Sequence, residues 1–414
     1  MGNRLVITNV YDRKISALFE DDRLTEVNVA TDEASGSATN GAPLPKSVLG
    51  NIYVGRVENV VKNINAAFIE ISKGEKCYYS LTENEHPIFL NRKNNDKVNV
   101  GDLILVQVVR DTIKTKMAVA SSDINIAGHF VVATLSGNVC VSAKITDRAR
   151  REHLTSLLKD RLEPQTGMVI RTCAMEADDE NIVNEALELQ ALLLRILEVC
   201  RYRPAFTCLY NHGKNSILSN VNIDSLEKIV TDDTDSYGDC LSYITKICPN
   251  NLSKLTLYED KLLPLSKLYS LESRLEAALK KRVWLKSGGY LVIEPTEALT
   301  VIDVNTGKFD GKKADREATF FKVNMEAAKE IAYQLRLRNY SGIILVDFID
   351  MESKENNQEL MKHFGELLAS DKVKTTLVDM TRLGLCEITR KRVKRPLHEE
   401  FRRLENYELQ NSDI

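Results

Sequence analysis

The sequence has 414 residues, which at roughly 150 residues per domain implies two to three domains and ample length to bury a core. Hydrophobic residues make up 43% and charged residues 28%, which excludes a disordered chain, and no apolar run approaches the ~20 residues that a membrane helix needs. A net charge of −3, from 56 Lys plus Arg against 59 Asp plus Glu, leaves any polyanion binding to local basic patches.

The opening segment, MGNRLVITNVYDRKISALFEDDRL, has acidic residues interrupting each apolar stretch before a signal-peptide core could form, so a cytoplasmic location is expected. Cys77, Cys140, Cys173, Cys200, Cys208, Cys240, Cys248 and Cys386 lie far apart, with no CxxC pair and no Cys/His cluster at zinc spacing. Free, mostly buried thiols are expected. Residues 30 to 47 are rich in Ser, Gly, Ala, Thr and Pro and show no hydrophobic period, which marks a linker or loop. From Val48 to about Ala120, short β-type runs separated by Gly, Asn, Asp and Lys predict a small antiparallel barrel. Mixed strands follow over 122 to 175, then a long apolar helix over 184 to 200. Residues 205 to 265 show no period that places them.

Leu268, Leu271, Leu275, Leu279 and Val283 recur at three- and four-residue steps and predict one helix face. Next come a buried strand (298 to 304), a helix (315 to 339, with Phe321, Met325, Ala328, Ala332 and Leu335 on one face) and another buried strand (342 to 350). This is a βαβ unit, whose right-handed crossover makes the strands parallel, and helices on both faces are expected from the continuous apolar runs. A helix (357 to 369) and a strand (374 to 380) extend the pattern, and residues 381 to 403 carry eight Lys or Arg against three Glu.

Asp303 and Asp347 each fall near the carboxyl end of an apolar strand, the edge at which open α/β sheets bind ligands. On neighbouring strands about 4.8 Å apart, two carboxylates can share a hard cation such as Mg²⁺. Asn305, two residues after Asp303, lies on the same side and can orient a carboxylate. The plainer reading of either Asp is a helix cap or turn residue, and Asp350 reads that way. A metal so held suits phosphodiester hydrolysis. In the barrel segment, Phe68 and Tyr78 are either base-stacking aromatics or core residues, Lys116 offers a phosphate contact, and the basic run 389 to 395 is either a polyanion contact or a solvated face.

These motifs together resemble the bacterial ribonuclease E/G family of endoribonucleases. The likeness spans nearly the whole chain and is strongest in SGGYLVIEPTEALTVIDVNTGKF (287 to 309), IAYQLRLRNYSGIILVDFIDM (331 to 351) and TRLGLCEITRKR (381 to 392). The family's metal-binding catalytic aspartates match Asp303 and Asp347, and its supporting asparagine matches Asn305. The resemblance implies an α/β multidomain fold: an S1-type OB-fold barrel (46 to 124) and a 5′-sensor region (125 to 218) inserted into a ribonuclease H-like scaffold (1 to 45 and 219 to 280). A DNase I-like α/β catalytic domain (281 to 395) and a tail (396 to 414) follow. It assigns RNA contacts to Phe68, Tyr78 (a Phe in better-known members), Lys116 and Arg382. It places a 5′-monophosphate sensor at Arg171 and Thr172, with Gly128 and Val132 shaping the pocket; a guanidinium fork plus a hydroxyl suits a terminal phosphate.

The implied activity is Mg²⁺-dependent cleavage of single-stranded RNA in processing and decay, leaving 5′-phosphate and 3′-hydroxyl ends and favouring 5′-monophosphorylated substrates. No cysteine follows Cys386, so the family's CPxCxGxG zinc motif is not matched; no zinc is expected, and a homodimer would use another interface. The alternatives are a non-catalytic RNA-binding protein of the same fold and a DNase using the same two carboxylates.

Overall fold

The computed structural model describes residues 2–29, 48–92, 97–112, 117–212, 217–218, 221–307 and 316–401. The fold is mixed α/β and divides into two compact units, residues 1–16 with 30–260 and residues 17–29 with 261–414. The boundary runs through the strand Arg13–Glu20.

In the first unit, the strand Asn3–Val10 pairs in parallel with Leu226–Thr231, which pairs in parallel with Leu255–Leu257. Thr8 donates to Asp232 at 2.8 Å and Lys14 pairs with Asp233 at 2.8 Å, so side chains reinforce this long-range pairing. Two substructures lie between the paired strands in sequence. The first is a closed five-stranded barrel of Ile52–Val61, Ala66–Ser72, Glu75–Ser80, Ala118–Ser121 and Leu103–Arg110, closed by antiparallel pairing of Ile52–Val61 with Leu103–Arg110. Its interior holds Val57, Ile69, Tyr79 and Val106. Closure removes the free strand edges that would invite other chains.

The second is a sheet in the order Asn125–Ala127, Val131–Thr134, Gly167–Ile170, Val139–Val141. The helix Asp179–Val199 contributes Ile182, Ala186, Leu193 and Ile196 to the same core. This helix begins five residues before the apolar run, because Asp179 and Glu180 suit the positive end of a helix rather than its buried face. The helix Arg148–Lys159, within the predicted mixed strands, buries only Leu154 and Leu158, too few positions to give a period. In the unplaced segment, Thr234–Ile247 is helical and its cap residue Asp233 accepts from Ser236 N at 2.9 Å.

The second unit is built on a six-stranded sheet ordered Arg282–Trp284, Tyr290–Pro295, Leu299–Asn305, Gly342–Asp347, Leu385–Arg390, Thr375–Met380. The βαβ unit is present: Leu299–Asn305 and Gly342–Asp347 pair in parallel, and the helix Arg316–Leu337 connects them. Two expectations are corrected. The helices Arg316–Leu337 and Lys354–Ala369 share one core, in which Ile302, Val304, Ile344 and Val346 meet Ala328, Ile331, Leu335, Leu360 and Phe364. Alternate residues face away, and Val301 and Ile343 are 37% and 51% exposed, so among the described residues of this unit one sheet face is open. An apolar run alone could not distinguish this from a strand covered on both sides.

The second correction concerns 268 to 283: the helix Leu265–Leu268 ends, Ser270 takes a left-handed φ of 50°, Leu271–Leu279 forms a separate helix, and Val283 lies in a strand. Leu268 is exposed while Leu271 and Leu275 are buried. The antiparallel strand Leu385–Arg390, not anticipated from the sequence, lies inside the basic stretch and pairs with Gly342–Asp347. All eight cysteines are free; five are buried, whereas Cys140 and Cys208 are exposed.

Candidate active site

Asp303 and Asp347 are register partners on the adjacent parallel strands. Because side chains alternate along a strand, both project from the open face while Ile302, Val304 and Val346 fill the core. Both carboxylates are exposed, and Asn305 Nδ2 donates to Asp303 Oδ2 at 2.6 Å. Partial burial, then the Asp303 carboxylate and the Asp350 carboxylate, push Asp347 above the usual carboxylate range. Asp350 caps no helix; Ser353 does, accepting from Asn356 N at 3.1 Å. Crowded like charges are what a bound cation relieves. Two carboxylates with an amide holding one of them fit Mg²⁺, which takes one or two protein carboxylates and completes its shell with water and phosphate oxygen. Among the described residues, no group of three or more His, Cys, Asp or Glu is placed to hold a metal.

The connecting helix fixes the end of the Asp347 strand. Asn324, fully buried, donates to Ile349 O at 2.8 Å and accepts from Ile349 N at 3.1 Å. Glu317 accepts from Glu352 N at 3.0 Å, Ser353 N at 3.1 Å and Asn356 Nδ2 at 2.8 Å, and these bonds hold its carboxyl below the usual range. Behind Asn305, the Ser287–Gly289 turn packs against the strand end so closely that a Cβ on Gly289 would lie 2.7 Å from Asn305 O. A Cβ on Gly307, where φ is +70°, would lie 2.4 Å from Gly288 O. Only glycine fits there. Glu326 anchors the turn by accepting from Lys286 N at 2.6 Å and Ser287 N at 3.1 Å. Arg382 is exposed on the turn leading to Leu385, which pairs with Asp347.

On the barrel, Phe68 and Tyr78 are cross-strand partners with ring centroids 6.3 Å apart, edge to face. Both are half-buried rather than core, so their outer faces meet solvent. Lys116 lies outside the described residues. In the next sheet, the Arg171 guanidinium donates to Gly128 O, and Arg171 N donates to Phe130 O at 2.8 Å. Thr172 is exposed at the start of a turn, and Val132 is half-buried opposite Val169. Arg171 and Gly128 are thus in contact. The Gly128 loop is held by Glu185, which accepts from His129 N and Phe130 N at 2.6 Å each and from Val131 N at 3.1 Å. Burial pushes the Glu185 carboxyl above its usual range, although those three bonds and Arg171 oppose it.

The sequence model of the Ribonuclease E/G family matches residues 125–393. Ribonuclease G of Haemophilus influenzae is 34% identical over 92% of this chain and 78% of its own length. Ribonuclease G of Escherichia coli K12 is 32% identical over 84% of this chain and 74% of its own length, and Ribonuclease E of a Nostoc species is 32% identical over 97% and 57%. The chain belongs to the ribonuclease E/G family. It is an endoribonuclease, a hydrolase of RNA phosphodiester bonds. No helix among the described residues is long and apolar enough to cross a membrane.

Sequence reasoning missed one residue that positions the candidate groups in each unit of this ribonuclease E/G family member. Asn324 and Glu185 sit on the buried sides of amphipathic helices, each sharing that side with one other polar residue (Gln334 and Gln190), and polar residues at core positions were the available signal. The basic run 389 to 395 is partly structural: Arg390 is buried, donating to Asp371 Oδ2 at 2.8 Å and to Asn339 Oδ1 at 2.8 Å, and Lys394 donates to Asn28 Oδ1 at 2.7 Å.

Proposed function

We propose that this ribonuclease E/G family member is a Mg²⁺-dependent endoribonuclease specific for single-stranded RNA, acting in cytoplasmic processing and decay such as ribosomal RNA maturation and messenger RNA turnover. The observation that carries the reading is the register pairing of Asp303 with Asp347, with Asn305 bonded to Asp303. Asp303 and Asp347 would hold Mg²⁺. Bound there, the ion supplies Lewis acidity toward the scissile phosphate and activates water for attack, which leaves 5′-phosphate and 3′-hydroxyl ends. Asn305 keeps the Asp303 carboxylate turned toward the open face. Phe68 and Tyr78 would hold bases of the strand by stacking, with Lys116 and Arg382 on phosphates. Arg171, steadied by the Gly128 carbonyl, and the exposed Thr172 would recognise a 5′-monophosphate, with Val132 at the pocket wall.

In this reading the barrel (46–124) is an S1-type OB fold and 125–218 the sensor, both inserted in a ribonuclease H-like scaffold of 1–45 and 219–280; 281–395 is DNase I-like and 396–414 a tail. The parallel pairing of Asn3–Val10 with Leu226–Thr231 supports such an insertion. The test is cleavage of matched RNAs with 5′-monophosphate and 5′-hydroxyl ends. Asp303→Asn is expected to abolish cleavage with little loss of RNA binding, and Arg171→Ala to reduce chiefly the preference for the monophosphate. Equal activity of the unmutated protein on both ends would contradict the sensor assignment, and undiminished cleavage by Asp303→Asn would contradict the active site.

A further inference from the structure

On the open sheet face beside the two aspartates lies an aromatic cluster that no role above uses. The register runs Trp284, Tyr290, Asn305 across three neighbouring strands, and Val292 lies between Arg282 and Asp303 in the next row. These residues therefore share the face of the carboxylates. Trp284 is the only tryptophan in the sequence and is 65% exposed. Its ring lies 5.3 Å from that of Tyr290 at an interplanar angle of 59°. The Arg282 guanidinium sits 4.6 Å from the Tyr290 centroid and 5.8 Å from that of Trp284, so the rings are braced by a cation. With strands about 4.8 Å apart, Tyr290 is one strand and Trp284 two strands from Asn305, within reach of nucleotides flanking a phosphate at Asp303 and Asp347.

We propose that Trp284 and Tyr290, braced by Arg282, form a stacking platform for bases of single-stranded RNA next to the scissile phosphate. The inference rests on the endoribonuclease active site described above and extends it. Every base offers a π face to an aromatic ring, and Arg282 adds a positive charge facing the strand's phosphates. Glu294, which shares this face, is paired with Lys281 at 3.3 Å. A second protein surface laid over the same rows would bury the Asp303 and Asp347 carboxylates without partners, whereas a nucleic acid arrives with cations. The favoured occupant is therefore RNA. The platform would grip substrate sequence-tolerantly, through stacking rather than base-edge hydrogen bonds.

The lone tryptophan makes the test direct. A short single-stranded oligoribonucleotide is titrated into the full chain in EDTA, so that no metal-dependent cleavage intervenes, and Trp284 emission is followed beside an abasic strand of equal length. Quenching by the base-bearing strand and not by the abasic one is expected. In Mg²⁺, Trp284→Ala is expected to raise KM about tenfold with kcat little changed, and Trp284→Phe to recover most of the loss. Emission indifferent to bases, or an unchanged KM in Trp284→Ala, would overturn the platform. So would emission that shifts with protein concentration alone, which would assign the patch to a second copy of the chain. Failure of the active-site reading is distinguishable: the unmutated protein would then not cut, while the emission titration would still report on stacking.

Discussion

Asp347 is the residue at which burial and chemistry conflict. Partial burial and two neighbouring carboxylates disfavour its charge, yet a metal-binding role needs it ionised, and a shared cation reconciles the two. Asn305 serves the other half of the pair: its 2.6 Å bond occupies one Asp303 oxygen and fixes the carboxylate's orientation. Side chains that orient metal-binding groups typically contribute about 10–100-fold in affinity or activity. Asn305→Ala should therefore lower cleavage by about that factor, with part of the loss recovered at higher Mg²⁺. Steady-state rates over a Mg²⁺ series check it, and an unchanged metal dependence would leave Asn305 without this role. Asp303, Asn305 and Asp347 were legible in the sequence because a strand's period of two fixes its faces. The effect of Asp350 on Asp347 was not, since it comes from the irregular stretch after the strand, which periodicity does not describe.

At the scale of elements, the strand Leu385–Arg390 borders Gly342–Asp347 and is tied down by a buried ion pair. Burial alone would raise the Asp371 carboxyl, but the Arg390 guanidinium and bonds from Val373 N at 2.9 Å and Thr375 Oγ1 at 3.1 Å hold it below the usual range. A carboxyl depressed in the folded state contributes stability that is present above its unfolded pKa of about 3.9 and is lost as pH falls through the folded value. Asp371→Ala leaves Arg390 buried without its counter-charge and should cost about 3–5 kcal/mol near neutral pH. The gap from the unmutated protein should shrink below about pH 4. Urea unfolding at both pH values checks this, and a gap that grows on acidification would contradict it. Sequence showed this stretch only as a run of positive charge, because the partner Asp371 comes from another loop. The same limit explains the helix break at Ser270: the leucine spacing runs through it, and only the left-handed φ marks the stop.

At the scale of the whole molecule, the order of elements explains why local reading placed the barrel and the strands of Asp303 and Asp347 but not the rest of the architecture. The barrel and the βαβ unit are built from segments adjacent in sequence, so composition and period suffice to find them. The sheet joining Asn3–Val10 to Leu226–Thr231 is built from distant segments, and the helix Thr234–Ile247 that follows buries Ser236 and Cys240 beside Ile244 and Ile247, so its helical spacing is masked by small and polar residues. The open face of the six-stranded sheet was likewise hidden, because Val301, Ile343 and Leu345 look like core residues on any hydrophobicity scale. That open face exposes the paired aspartates. The measurement that bears most directly on this account is cleavage of a short 5′-monophosphorylated single-stranded RNA in Mg²⁺, in EDTA, and in EDTA followed by excess Mg²⁺, with the Asp303→Asn/Asp347→Asn double variant alongside. The account predicts internal cuts with Mg²⁺, none in EDTA, recovery on Mg²⁺ addition, and no cutting by the double variant. Cleavage that persists in EDTA, or in the double variant, would contradict it.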